Sequence, residues 1–329
     1  MNLNKQTGAS SPLAWILRSD EIGVVIPLLI IIAITTVIRH DFLTLGNFKA
    51  MFTQITFIGI VALGASIPLM VGNVDISTGR VAGLAGILMA SLVVDHGWGA
   101  PGAILFGLFI ALVAGALNGI LVVYCNIPDF VATMGTLYIA GGSRYLFIKG
   151  YQLSLNTLPD FPLNAIFKAR YLGMPIYFWI MLFLIIIMTV VIKRTVFGRQ
   201  LLAAGDNREV AQLAGIKVPR VRMIAYMLSA LFAGIAGILL TLDIGLGLPE
   251  TGDGWEFRAI AGCVVGGTSL AGGKSSPLGT LIGVTLVFVA ENAIIFIGLP
   301  TTMRIAIQGL LMALAVLLDM QRQRRKIPA

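Results

Sequence analysis

Three stretches of this chain run uncharged for the length of a lipid bilayer: IGVVIPLLIIIAITTVI at 22–38, PGAILFGLFIALVAGALNGILVVY at 101–124 and MPIYFWIMLFLIIIMTVVI at 174–192. A hydrocarbon core about 30 Å thick takes roughly twenty apolar helical residues to cross, and a soluble core cannot absorb so many runs of that length. Charged residues make up only 12% of the sequence, about half the usual share of a soluble domain. The expected fold is therefore all-α and polytopic.

A window of about twenty residues places ten segments, at 22–38, 52–72, 76–94, 101–124, 130–148, 174–192, 223–243, 257–272, 278–297 and 302–319. The fifth, with Gly141, Gly142 and Arg144, is the most polar, and its apolar face is expected inside the bundle. Lys5 and Arg18 precede the first run, as in a secretory signal. The run is long, however, and ends in Arg39-His40-Asp41 without a small-x-small cleavage pattern, so it reads as a retained anchor. With the amino terminus in the cytoplasm, fifteen of the 23 basic residues fall on that side, among them Lys5, Arg18, Arg80, the seven from Lys193 to Arg222, Lys274 and the tail Arg322, Arg324, Arg325 and Lys326. The positive-inside rule then puts both termini in the cytoplasm. The formal charge of +8 is spread over segment ends, which suits membrane lipid and excludes nucleic-acid binding. Cys125 and Cys263 have no metal-type spacing and read as small buried residues.

The third and eighth segments are too short. Fourteen uncharged residues separate Arg80 from Asp95, and fifteen separate Arg258 from Lys274. Both are glycine-rich and flanked by polar turns, GNVDISTG at 72–79 and GGTSLAGGKSS at 266–276. Dividing the ten segments into two halves of five makes each short one the third of its half, running in opposite directions. Such interrupted segments in matching positions mark a substrate path between inverted repeats. No convincing residue-level identity accompanies the match; it rests on hydropathy and spacing. Asn73, Asp75, Ser77 and Thr78 are the first candidates for the path, with Asp75 or Ser77 as simple helix caps the competing reading. Glu291 and Asn292 lie in mid-segment, where an ionisable residue is expensive; Glu291 either faces the path or pairs with Arg304 or another base. Asn118 and Gln308 read as interhelical hydrogen-bond partners, and Tyr177, Phe178 and Trp179 as an interface belt. The acidic loop Glu250–Glu256 offers a surface for a binding protein.

Between the halves lies the long charged stretch GRQLLAAGDNREVAQLAGIKVPRVR at 198–222. Each of its charges would cost about 2.5–3.5 kcal/mol at mid-bilayer, while an aliphatic residue returns only about 0.3–0.6, so it stays in water. Asp206 is placed to cap a short helix with Glu209 completing a capping box. Val210, Leu213 and Ala214 share one face, Gly215 supplies the C-terminal cap and Pro219 stops the helix. About two turns of helix are not stable alone. An interfacial helix, a packed linker and a helix that docks on a partner remain open on these grounds, and small residues with mixed charge suit docking best.

The spacing G-x-x-x-x-A-x-G-x-N-x-x-x-A-x-x-x-G-I from Gly198 through Ala203, Gly205, Asn207, Ala211 and Gly215 to Ile216 resembles the cytoplasmic loop of the ribose-type permeases of bacterial ABC importers. VDISTG at 74–79, AIAGCVVGGTSLAGGKSSPLGTLIG at 259–283 and LAVLLD at 314–319 are similar to other motifs of that family. The resemblance implies one permease domain over 1–329 of the bacterial inner membrane, with 194–222 as its cytoplasmic coupling loop. It also implies pairing with itself or a paralogue, two ATP-binding subunits that hold the ATP and Mg, and a periplasmic solute-binding protein. No cofactor is expected in this chain and no enzymatic activity. Gly205, Asp206, Asn207, Glu209, Ala211 and Gly215 would form the coupling surface. Consistently, the chain has no G-x-x-x-x-G-K-[ST] phosphate loop: before Gly273-Lys274-Ser275 the required first glycine falls on Thr268. Family members often carry Asn-Asn where this chain has Glu291-Asn292. The implied cargo is a small neutral sugar or sugar-like solute. The competing function is an ion-coupled secondary transporter, for which Glu291 would be the embedded carboxylate.

Overall fold

The computed structural model describes residues 20–148, 152–157, 169–300 and 303–324. Its helices are α1 Asp20–Ile38, α2 Leu45–Met70, α3 Thr78–Val94, α4 Ala100–Val123, α5 Asp129–Ile148, α6 Ile176–Arg194, α7 Val196–Asp206, α8 Arg208–Leu213, α9 Val218–Ile244, α10 Trp255–Val265, α11 Pro277–Ile297 and α12 Met303–Arg324. All ten expected segments are helical, as α1–α6 and α9–α12, while α7 and α8 form the charged stretch. Of these, α2, α4, α6, α9 and α11 are long and apolar enough to cross a membrane unaided. Lys5, Arg18, Arg325 and Lys326, used to orient the chain, lie outside the described residues.

Helix boundaries follow local chemistry. The Thr44 hydroxyl accepts from Asn47 N to start α2, and Ser276 accepts from Gly279 N at 3.1 Å with Pro277 in the first turn of α11. Such caps satisfy donors that the helix cannot. Gly245 and Gly298 close α9 and α11 with φ of +72° and +88°, a conformation that favours glycine. The only strands among the described residues are two-residue antiparallel pairs, Leu153–Ser154 with Leu246–Gly247 and Arg170–Tyr171 with Met174–Pro175.

The halves pack as an inverted repeat. α2 and α9 lie against each other at the centre; α9 packs on α3 and α4 as α2 packs on α10 and α11. Within the halves, α3 contacts α4 and α5 as α10 contacts α11 and α12. Faint sequence echoes accompany the match: Pro101-x3-Leu105-x-Gly107 against Pro277-x3-Leu281-x-Gly283, and Ala116-x-Asn118-x-Ile120 against Ala290-x-Asn292-x-Ile294. The outer helices break the pattern, since α1 packs on α11 while α6 packs on α2.

The short segments differ from the expected 76–94 and 257–272 in an informative way. α3 starts only at Thr78, and α10 ends at Val265, leaving 266–276 as turns. Their amino-terminal ends meet: a Cβ on Gly79 would stand 2.3 Å from Gly252 O and against the Glu256 carboxylate, so only glycine lets the two ends close. Gly141, beside Arg80, lies twelve residues into α5 from Asp129, about 18 Å at 1.5 Å per residue, so this junction lies near the middle of α5, which is mid-depth where α5 spans a bilayer.

Candidate functional site

The first site grows from the break between α2 and α3. After Met70 the chain turns at Gly72, with φ +66°, and runs without helix to Ser77. Backbone that leaves the helix inside a membrane bundle must find partners, and neighbouring helices provide them. Val74 N donates to Asp129 Oδ2 at 2.7 Å and Ile76 N to Thr133 Oγ1 at 3.3 Å. Asp75 is buried and accepts four hydrogen bonds. Its Oδ1 takes Ser77 N at 3.0 Å, Ser77 Oγ at 2.7 Å and Asn118 Nδ2 at 3.4 Å, and its Oδ2 takes Ser229 Oγ at 2.9 Å. Asn118 also donates to Ser77 Oγ at 2.9 Å and accepts from Thr136 at 2.5 Å. The interhelical reading of Asn118 holds, and its partner is the break itself. Ser77 is the N-cap residue of α3, but its side chain makes no cap bond; the capping reading for Asp75 and Ser77 gives way to a network joining α3, α4, α5 and α9. Thr78 is buried next to it, its hydroxyl without a hydrogen-bond partner among the described residues.

Asn73 points the other way, toward the charged stretch. Its amide donates to Asp129 Oδ2 at 3.2 Å and its Oδ1 accepts from Arg222 Nε at 2.9 Å and Arg208 Nη2 at 3.4 Å.

A second cluster ties the α3–α10 junction. Asp253 Oδ1 pairs with Arg80 at 3.0 Å and with Arg144 at 2.8 Å, and Arg144 also donates to Thr251 O at 2.7 Å. One expectation is corrected here: Arg80 is not at a cytoplasmic loop end but in the bundle. Of the acidic loop, Glu256 is buried and Asp253 is held in ion pairs, while Glu250 and Asp253 stay exposed.

Glu291 is buried and pairs with Arg258 at 3.1 Å; the side chain of Arg304, the other base considered, is outside the described residues. Asn292 donates to Asn47 Oδ1 at 3.0 Å, joining α11 to α2. Neither meets the Asp75 network. Gln308 donates to Gly254 O at 2.9 Å, in the turn ahead of α10, so its partner is a loop carbonyl rather than a second helix. Tyr177 is buried against Phe57 and bonded to Thr53, so only Phe178 and Trp179 remain near the surface as a belt. Cys263 is buried, as expected, and Cys125 is exposed, against expectation.

In the charged stretch the cap is shifted by one residue. Asp206 ends α7, and Asn207 caps α8, its Oδ1 accepting from Val210 N at 3.0 Å. Glu209 then sits one position short of a capping box. Gly215 takes φ +82°, with Gly215 N donating to Gln212 O and Ile216 N to Ala211 O, the paired bonds of a Schellman motif. Ala211 is buried at 3% exposure, whereas Val210 and Leu213 are 60% and 89% exposed. Ala211 faces the chain's own core, against its expected place on the coupling surface, and the bulky Val210 and Leu213 face out. Asp206, Asn207, Glu209 and Gly215 are exposed. Gly205 lies against backbone, where a Cβ would fall 2.6 Å from Gly273 N and against Met70 O.

Arg144, Ser229, Thr136, Arg208 and Arg222 were not among the expected site residues. A lone arginine in an apolar segment was a usable signal for Arg144; hydroxyls in apolar helices carry none.

An inverted-repeat bundle of ten segments with a capped polar helix at one end defines a multi-pass membrane transport protein. The chain belongs to the family of branched-chain amino acid transport system permease components, whose model matches residues 47–316. It is an inner-membrane ABC-importer permease subunit, a transport protein rather than an enzyme. It is similar to the autoinducer 2 import system permease protein LsrC of Photorhabdus luminescens, 30% identical over 93% of this chain and 92% of that one. LsrC of Yersinia pestis (strain Pestoides F) is 30% identical over 93% of this chain and 86% of its own. No solved structure matches the chain.

Proposed function

We infer that this subunit carries a small sugar-like solute into the cytoplasm, with α8 as the helix that receives the stroke of a separate ATP-binding subunit. The observation that carries the reading is the outward apolar pair Val210 and Leu213 on a six-residue helix closed by Asn207 and Gly215. An exposed apolar face on a helix too short to persist alone calls for a partner, and capping at both ends lets it move as one piece. ATP and Mg belong to that partner. The orientation follows: the α8 end and both termini face the cytoplasm, and a periplasmic binding protein delivers solute to the opposite end. A second permease copy or paralogue completes the assembly.

For the path, the best-supported residues are Arg80 and Asp253, whose side chains are 29% and 39% exposed at the mid-depth junction. Charges at that depth face a water-lined cavity or a partner rather than lipid. Asp75, Ser77 and Asn118 hold the broken backbone behind them. The sugar-like class rests on the resemblance to ribose-type permeases; the LsrC relatives are named for autoinducer 2 and the family's description for amino acids. The ion-coupled alternative loses ground because Glu291 is engaged by Arg258.

The test is Leu213→Arg. The membrane-inserted chain should keep its thermal stability, since Leu213 packs on nothing, yet fail to co-purify with its ATP-binding subunit. Undiminished co-purification overturns the docking role.

A further inference from the structure

We propose that Arg208 is a positioning residue for transport, fastening the docking helix to the first break so that movement of α8 reaches the Asp75 segment and, through Asp129, α5. The proposal rests on the docking reading above. Arg208 is the first residue of α8, yet its guanidinium leaves that helix. One nitrogen, Nη2, donates to Val71 O at 3.2 Å, Gly72 O at 3.1 Å and Asn73 Oδ1 at 3.4 Å. The carbonyls just past a helix end have no helical partner and carry its negative pole, so a cation there makes charge-assisted bonds. From Asn73 the line continues through its amide to Asp129 Oδ2, which also holds Val74 N. Asp129 opens α5, and Thr133 one turn on binds Ile76 N.

The other break is held in a parallel way at the same end. Gly205 of α7 rests on Met70 and Gly273, Gly273 N donates to Met70 O at 3.0 Å, and Leu270 N donates to Asp319 Oδ2 of α12 at 3.1 Å. Each break is thus strapped by an aspartate to the fifth helix of its half. The charged stretch sits across both, and Arg208 is the side chain from the docking helix itself that grips one of them.

The test uses the assembled importer in lipid nanodiscs. Spin labels on Tyr138→Cys of α5 and Phe183→Cys of α6, both exposed positions, report the distance between those helices in a Cys125→Ser background. In the parent, trapping with ATP and vanadate should shift this distance. Arg208→Ala should abolish the shift while ATP-binding subunits still co-purify, and Arg208→Lys, which returns a cation to the three oxygens, should regain it. A mere helix cap would lower the melting temperature and leave the shift. Should Arg208→Ala fail to accumulate, Asp129→Ala cuts the same line one contact further on and should lose the shift too. A full shift in Arg208→Ala or Asp129→Ala, or none in the parent, overturns the proposal. Loss of the subunits from Leu213→Arg but not from Arg208→Ala keeps a failure of docking distinct from a failure of the relay; if Leu213→Arg retains them, both readings fall.

Discussion

Arg144 on α5 and Asp253, in the loop that precedes α10, meet at 2.8 Å, with the arginine side chain fully buried and the aspartate 39% exposed. This pair binds the fifth segment of one half to the third of the other. It also anchors the loop, because the same guanidinium holds Thr251 O.

Replacing Arg144 with Met should therefore be severe. Removing one partner of a buried pair costs about 3–5 kcal/mol, with the lower end expected because Asp253 keeps Arg80 and some water. The detergent-solubilised protein should melt well below the parent in a fluorescence-detected size-exclusion assay. An unchanged melting point would contradict the anchoring role.

Asp75→Asn tests the network at the first break. All four groups around the carboxylate donate, so an amide nitrogen would face a donor and leave one unsatisfied, at about 1–3 kcal/mol. Ser229→Ala removes a single bond and should cost about 1 kcal/mol. The order of the two melting points checks this; equal losses would mean that Oδ2 carries the network.

Glu291 and Arg258 form a double-mutant cycle. Glu291→Leu alone leaves a mostly buried guanidinium and should destabilise strongly, whereas Glu291→Leu with Arg258→Met should recover much of the loss, because apolar isosteres often replace a buried pair without net cost. If the double variant is as unstable as the sum of the singles, the pair is not the reason Glu291 is buried.

Ala211→Phe should unseat α8 from below rather than block its outer face, since Ala211 is 3% exposed. Asn207→Ala should loosen the same helix by about 1 kcal/mol. Faster amide hydrogen exchange across 208–216 in both variants is the expected reading. Parent-like exchange in Ala211→Phe would return Ala211 to the outer surface.

The positions of the helices were legible because crossing a bilayer imposes length and apolarity, and the two short segments stood out for the same reason. Composition says nothing of partners. Arg80 looked like a loop-end cation because it borders an apolar run; only the fold shows the run's start buried against Asp253. The cap moved from Asp206 to Asn207 because α7 extends one residue further, and Asp and Asn are equally good caps. Ala211 was misplaced because its face depends on how α8 leans on α7 and α9. Asp75 was marked by the polar turn that interrupts the third segment, while Ser229 and Thr136, common residues in any membrane helix, had nothing to mark them.

The unequal seating of α1 and α6 has a further meaning. A bundle whose halves were equivalent by rotation would be equally content open to either side of the bilayer, with no resting posture of its own. By lodging α1 on α11 and α6 on α2, and by carrying its polar arm at one end only, this chain lifts that degeneracy, so that its two ends are not interchangeable.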